Sequence, residues 1–168
     1  EPGLAGWHGN KKETQFLLKH EHDPEKDVDA WLTGTPNMLS MAPIEGMLKL
    51  FNEAGIENIR NKSLALTDYL IFLIEGKLEK YGFANGTPVE HSRRGGHVAL
   101  EHEEAYRICL ALKEKKVIPD FREPNVIRLA PVALYCSFED IYKLVDILED
   151  IAITKAYEKF SQARALVV

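Results

Sequence analysis

Several features are scarce or missing in this sequence of 168 residues, and each absence narrows the class of protein. The two cysteines, Cys109 and Cys136, are too few for a disulfide framework and are typical of a reducing compartment. No apolar run approaches the roughly 20 residues that a membrane helix needs. No basic-then-apolar leader opens the chain. These absences predict a cytoplasmic protein that does not cross a membrane.

Positive charge is also in deficit. Lys and Arg number 21 against 26 Asp and Glu, which makes the net charge −5. A protein that binds the phosphate backbone of nucleic acids is typically basic, so we expect no nucleic acid partner. At 45% hydrophobic and 28% charged residues, the composition is that of one ordinary globular domain, with room for an extra segment.

Complete catalytic motifs are missing as well. The sequence contains no Gly-rich phosphate loop, nucleophile elbow or cysteine–histidine metal cluster. His20, His22 and Asp23 follow one another at a spacing that can hold a metal on a strand. No further ligands follow at suitable spacing, so we expect a solvated charged loop here and no metal.

Apolar residues recur at helical spacing in four segments, which predicts four helices. The first two end at Gly55 and Gly82, and the last begins at a capping box formed by Ser137 and Asp140. The apolar stripes of these helices run over residues 44–51, 59–78, 105–112 and 141–151.

Strand signals lie between the helices. Segment 87–102 is typical of a strand, a tight turn and a second strand, and residues 117–121 and 126–129 predict two more strands. The segment 87–102 also carries two arginines and three histidines, which form either an anion site or a solvated turn. The order of elements predicts an α+β fold, in which helices cover a small and mostly antiparallel sheet.

Arg128 falls inside the last of these strands, which has apolar residues on both faces. Strand residues two apart share a face, so Arg128 lies beside Val126 and Ala130. Burying an unpaired guanidinium costs far more than a short strand can offset. Arg128 therefore needs an anion, which is either a carboxylate of the protein, such as Asp120 or Asp140, or the carboxylate of a ligand.

Two short motifs near the start of the chain are candidates for ligand binding. Trp7 stands among glycines, and its indole N–H is a donor that finds an acceptor when buried. It is either one packed side chain near a terminus or part of a loop from a larger site. Thr35, between Gly34 and Pro36, either binds a phosphate or polar ligand group or caps the following helix.

Five segments, in this order, resemble motifs of the kynureninase family, the pyridoxal-phosphate enzymes of tryptophan breakdown. They are Gly-Trp-His-Gly at 6–9, Gly-Thr-Pro at 34–36, Lys-Ser-Leu-Ala-Leu-Thr-Asp-Tyr-Leu at 62–70, Arg-Arg-Gly-Gly-His-Val-Ala-Leu at 93–100, and the stretch 120–138. The resemblance covers nearly the whole chain, and the last motif is specific. It implies the small C-terminal domain of a fold type I pyridoxal-phosphate enzyme, whose full-length form is α/β.

The resemblance also implies what this chain does not contain. In the family, the lysine that bonds to the cofactor lies upstream of the Gly-Trp motif, so no catalytic residue is assigned here. Residues 1–36 would be a remnant of the large cofactor-binding domain, and residues 37–168 would be the small C-terminal domain. We therefore expect this C-terminal part to be inactive alone.

Roles for three residues follow from the resemblance. Trp7 would contact the phosphate of pyridoxal 5'-phosphate. Thr35 would lie near that phosphate and the substrate ring, reaching the site of a neighbouring subunit in a homodimer. Arg128 would bind the α-carboxylate of the substrate, for which a guanidinium is well suited. His8 and Asn10 stand where the family pattern has an aromatic residue and a histidine. These departures leave open which aryl group of the substrate is preferred.

The implied reaction is hydrolysis of L-kynurenine or 3-hydroxy-L-kynurenine to anthranilate or 3-hydroxyanthranilate plus L-alanine. This reaction belongs to tryptophan catabolism and NAD biosynthesis. The alternatives are another fold type I pyridoxal-phosphate enzyme, such as a cysteine desulfurase or an aminotransferase, and a non-catalytic interaction module of the same fold.

Overall fold

Four α-helices form where the apolar spacing predicts them. A computed structural model of the chain describes residues 6–163, and the first residues of the Gly-rich opening and the end of the tail lie outside that range. The helices are α1 Met38–Ala54, α2 Ile56–Leu73, α3 Ala105–Glu114 and α4 Phe138–Thr154.

The ends of the helices follow the turn chemistry of the sequence. α2 continues through a π turn and a 3₁₀ turn, and Gly82 then stops it with a left-handed φ of 89°. At α4, Ser137 Oγ accepts a hydrogen bond from the backbone N–H of Asp140 at 3.1 Å. The Asp140 carboxylate accepts from the backbone N–H of Ser137 at 2.8 Å. The predicted capping box is confirmed.

Four strands form one antiparallel sheet in the order β1-β2-β4-β3. They are β1 Ala84–Asn85, β2 Val98–Glu101, β3 Asp120–Arg122 and β4 Val126–Leu129. β4 has the bounds predicted from the sequence and lies between β2 and β3. The predicted α+β fold, a small antiparallel sheet covered by helices, is confirmed.

Two of the strand predictions are wrong in part. Segment 87–102 contains one strand and not two, because β2 pairs with β1 upstream of the segment and His91–Arg93 form a 3₁₀ turn. The strand predicted over 117–121 begins only at Asp120. Lys116 turns the chain with a left-handed φ of 63°, and Pro119 has no N–H to donate to a sheet.

The core lies between one face of the sheet and the helices α2, α3 and α4. Because side chains alternate along a strand, Ile127 and Leu129 face this core, whereas Val126 and Arg128 lie on the opposite face, which is only partly buried. We call that opposite side of the sheet the open face. The largest fully buried side chains are Leu66, Leu70, Ile74, Leu78, Leu100, Ile108, Leu112, Ile127, Leu148 and Ile151.

The chain divides into two compact units, Glu1–Glu53 and Ala54–Val168. The contiguous core belongs to the second unit. In the first unit, α1 has no buried residue along its length. The expected boundary between residues 36 and 37 stays a prediction about the whole protein. Across residues 6–163, no helix combines the length and the apolar character that crossing a membrane requires.

Candidate functional site

Arg128 lies directly opposite Asp120, because the antiparallel register of β3 and β4 pairs these two residues. Nη2 of Arg128 forms an ion pair with Oδ2 of Asp120. The second carboxylate considered from the sequence, Asp140, is instead engaged with Ser137 at the start of α4. Register within the sheet therefore selects Asp120 as the protein partner of Arg128.

The same carboxylate oxygen also binds Arg122, which lies two residues along β3. Arg122 donates a hydrogen bond from Nε to Asp120 Oδ2, and its Nη2 forms an ion pair with the same oxygen, each at 2.9 Å. One carboxylate thus lies between two guanidinium groups. The cluster keeps one positive charge in excess, which favours the binding of an anion.

The expectation that Arg128 is buried, on a strand with apolar residues on both faces, is corrected by the structure. Its side chain is 39% exposed, since α2, α3 and α4 pack against the other side of the sheet. Its neighbour on β2 is the small residue Ala99. A guanidinium that is partly exposed and uses only one of its nitrogens can bind a carboxylate of a ligand as well as Asp120.

A pocket of about 400 Å³ opens beside the end of β4. Three cationic side chains, Arg128, Lys116 and Lys143, and one carboxylate, Asp140, line it together with apolar residues of α2 and α4. Cationic side chains next to an apolar wall suit an organic anion better than an uncharged or cationic ligand.

In the first unit, the Gly-Trp motif and the Gly-Thr-Pro turn come together. A Cβ built on Gly34 would lie 3.8 Å from Nε1 of Trp7. His8 Nε2 lies 3.5 Å from the hydroxyl of Thr35. The two candidate residues Trp7 and Thr35, far apart in the sequence, are therefore neighbours in the fold.

Trp7 is half exposed and is held by ring contacts. Its indole makes edge-on contacts with His8 and Phe16, at centroid distances of 5.3 and 4.9 Å. Glycine is required beside it, because a Cβ on Gly6 would lie 2.2 Å from the backbone of Thr33. Within residues 6–163 the indole N–H has no acceptor, so it is available to a ligand.

The two arginines of the segment 87–102 differ, because Arg93 is exposed to solvent beside Glu90, as expected of a solvated turn, and only Arg94 is enclosed by the protein. Arg94 has a side chain only 1% exposed and is ion-paired with Asp68 of α2. His91 Nε2 also contacts the Asp68 carboxylate, at 2.9 Å. Sequence reasoning missed Asp68, because it lies 26 residues from Arg94 and no local pattern links the two. The anion that Arg94 needs is thus supplied by the protein.

Two further candidates for chemistry, Asp23 and Cys109, are respectively ion-paired and buried. Asp23, from the His-x-His-Asp run, is ion-paired with Lys11, whose hydrogen bond lowers the pKa of Asp23. Across residues 6–163, no group of three or more His, Cys, Asp and Glu is arranged to hold a metal. Burial raises the pKa of the Cys109 thiol to about 12, so this cysteine is a buried apolar residue and not a nucleophile.

Comparison with known proteins extends this description. The family model of the kynureninase C-terminal domain matches residues 59–148. A kynureninase of Geobacillus thermodenitrificans is 54% identical over 166 residues, which is 99% of this chain and 39% of that protein. The kynureninases of Shouchella clausii and Bacillus thuringiensis are 49% and 48% identical, with the same coverage of 99% and 39%. The chain thus spans 39% of the length of these relatives.

Two solved structures share the fold at low sequence identity. An apo cysteine desulfurase from Thermococcus onnurineus superposes with a TM-score of 0.71 and 12% identity, over 92% of this chain and 40% of the other. A C-DES mutant with glycine covalently linked to its PLP cofactor superposes with a TM-score of 0.64 and 18% identity, over 89% of this chain and 38% of the other. At these identities the likeness shows the fold alone.

The family match covers more than half of the chain and includes the strand that carries Arg128. It also includes three of the motifs on which the resemblance was based, those at 62–70, 93–100 and 120–138. This chain belongs to the kynureninase family.

Proposed function

We propose that the whole protein is a kynureninase, a hydrolase that cleaves a carbon–carbon bond of L-kynurenine or 3-hydroxy-L-kynurenine. Its products are anthranilate or 3-hydroxyanthranilate and L-alanine. The observation that carries the proposal is the accessible guanidinium of Arg128 within the segment that the family model matches. Another fold type I enzyme or an interaction module would share the architecture, but the 54% identity to a kynureninase favours the first function.

Arg128 binds the α-carboxylate of the substrate in this proposal. Its planar guanidinium can meet both carboxylate oxygens at once, which gives orientation as well as affinity. Fixing the carboxylate restricts which bond of the substrate Cα is turned towards the reactive group. Arg128 is a binding residue and not an acid or base, because a guanidinium stays protonated in proteins.

Pyridoxal 5'-phosphate is the proposed cofactor, and when bound it supplies an electron sink for the reaction. The first unit contains groups that fit its phosphate. The Trp7 indole N–H has no acceptor within residues 6–163. The Thr35 hydroxyl lies close to it, 3.5 Å from Nε2 of the adjacent His8. Both donate hydrogen bonds to the phosphate in this proposal, and Thr35 also lies near the substrate ring. No lysine of this chain is assigned to hold the cofactor, so we propose that the chain alone is inactive.

We propose a cytoplasmic homodimer with sites shared between its subunits, acting in tryptophan catabolism and NAD biosynthesis. The apolar surface of α1 supports the contact with further protein. Met38, Leu39 and Leu48 are more than half exposed there, and no residue of this helix is buried. An apolar surface of this kind is typically covered in the complete assembly.

Replacing Arg128 in the full-length protein tests the proposed function. We expect Arg128→Ala to weaken binding of L-kynurenine by about 2–5 kcal/mol, because the substrate carboxylate then loses its ionic partner. Arg128→Lys, which keeps the charge but not the planar donor geometry, is the matched control and should lose less. Steady-state kinetics with both kynurenines measure the effect. A loss below about 0.5 kcal/mol would return Arg128 to a structural role.

A further inference from the structure

Asp120 binds two arginines through a single carboxylate oxygen. Oδ2 forms ion pairs with Nη2 of Arg128 and Nη2 of Arg122, and it accepts a hydrogen bond from Nε of Arg122. Within residues 6–163, Oδ1 has no hydrogen-bond partner. The backbone dictates both contacts, since Asp120 is the register partner of Arg128 and Arg122 shares its face two residues along β3.

This arrangement holds Arg128 without neutralising the cluster of Arg122, Asp120 and Arg128. One carboxylate between two guanidinium groups leaves one positive charge. Glu101 of β2 also belongs to this face, but its carboxylate lies over Gly86, where a Cβ would be 2.5 Å from Oε1. The ion pair with Asp120 involves only Nη2 of Arg128. Its other nitrogens therefore stay available for a second anion.

A long arginine side chain without contacts samples many rotamers, and ordering it on binding reduces affinity. A carboxylate that holds one nitrogen beforehand removes part of this cost. We propose, on the basis of the proposed function, that Asp120 is a positioning residue for Arg128. It orients the guanidinium so that the remaining donors meet the α-carboxylate of the substrate. Asp120 itself does not touch the substrate.

Asp120→Asn in the full-length protein tests this role, because it keeps the shape of the side chain and removes its charge. We expect the KM for L-kynurenine to rise about tenfold while kcat changes less than about twofold, as for a loss of ground-state binding. Asp120→Glu should restore most of the affinity. The matched control is Asp150→Asn, which removes an exposed carboxylate 3.6 Å from Lys115 Nζ and should leave KM unchanged.

A second measurement separates positioning from a general structural effect. The inhibition constant of a kynurenine analogue without the α-carboxylate should be the same in the Asp120→Asn variant and the parent protein, and so should the thermal unfolding midpoint. Equal weakening of both ligands, or a fall in the midpoint that tracks KM, would overturn the positioning role.

The two proposals can fail separately. An unchanged KM in Asp120→Asn, together with a large loss in Arg128→Ala, would overturn the role of Asp120 and leave the proposed function intact. An Arg128→Ala variant with normal substrate binding would overturn the proposed function itself.

Discussion

Two ion pairs in this chain each join an arginine to an aspartate, but the two arginines differ in their exposure to solvent. In the pair of Arg94 and Asp68, the arginine side chain is 1% exposed, whereas Arg128, paired with Asp120, is 39% exposed. The two aspartates are nearly equal, at 46% and 44%. The two pairs therefore differ in the solvent exposure of the guanidinium and not in that of the carboxylate.

The two pairs use their donors differently. Arg94 donates to Asp68 and to the carbonyl of Val89, and its Nε is buried without a partner. Arg60 of α2 also holds the segment of Arg94, by donating to the carbonyls of His91 and Arg94 at 2.7 and 2.9 Å. The buried pair thus attaches the segment between β1 and β2 to α2. The accessible pair keeps donors for a ligand, which is what distinguishes a binding arginine from a structural one.

The largest expected effect is on the buried pair. Asp68→Ala leaves the guanidinium of Arg94 buried, with the Val89 carbonyl at 3.3 Å as its remaining acceptor. We expect the free energy of unfolding to fall by about 3–5 kcal/mol, because removing one partner leaves an uncompensated charge. Urea denaturation followed by circular dichroism measures this change. Asp68→Asn keeps an acceptor oxygen and should lose less. A loss below about 1 kcal/mol would remove the contrast between the two pairs.

A smaller effect is expected on the free energy of unfolding at acidic pH, through the carboxyl group of Asp68. Burial raises the pKa of Asp68, but hydrogen bonds from Arg94 and His91 outweigh it, so the pKa in the folded protein lies below its ordinary value of 3.8. The contribution of such a carboxyl is present above its unfolded pKa and is lost as the pH falls through its folded pKa.

The parent chain should therefore lose more stability than Asp68→Asn as the pH falls below about 4. Unfolding in urea at a series of pH values measures both curves. Parallel curves for the two proteins would contradict the lowered pKa of Asp68.

The smallest effect is expected at the accessible pair. Asp120→Ala should change the free energy of unfolding by less than about 1 kcal/mol, since water can solvate both arginines once the carboxylate is gone. The side chains of this cluster are between 39% and 59% exposed, which makes that solvation possible. The same urea experiment applies. A loss as large as that of Asp68→Ala would mean that both pairs are structural.

Local patterns predicted much of the fold. The helices, the bounds of β4 and the capping box of Ser137 all depend on residues close together in the sequence. The predictions that failed involve partners further away. Segment 87–102 contains strand-forming residues, but pairing with β4, and at two positions with β1, decided that only four of them form β2. Lys116 and Pro119 delayed the start of β3, and only the second of these was a clear signal.

In the candidate site, too, local motifs identified the residues, whereas their partners depend on distant parts of the chain. Trp7, Thr35 and Arg128 were identified from motifs, and the structure adds that Trp7 and Thr35 are neighbours. Asp120 and Asp140 were equal candidates as the partner of Arg128. Only the register of β3 against β4, which depends on packing across the whole sheet, distinguished them.

The sequence by itself determined which residue types and motifs this chain carries, its acidic balance and its helical periodicity, because these are local properties of the chain. It also predicted that Arg128 binds an anion, although the burial on which that prediction rested is only partial in the structure. Only the tertiary structure decided that Arg94 is the arginine enclosed by the protein and that Arg128 stays accessible. Burial depends on which face of the sheet the helices cover, and strand alternation alone does not specify that face.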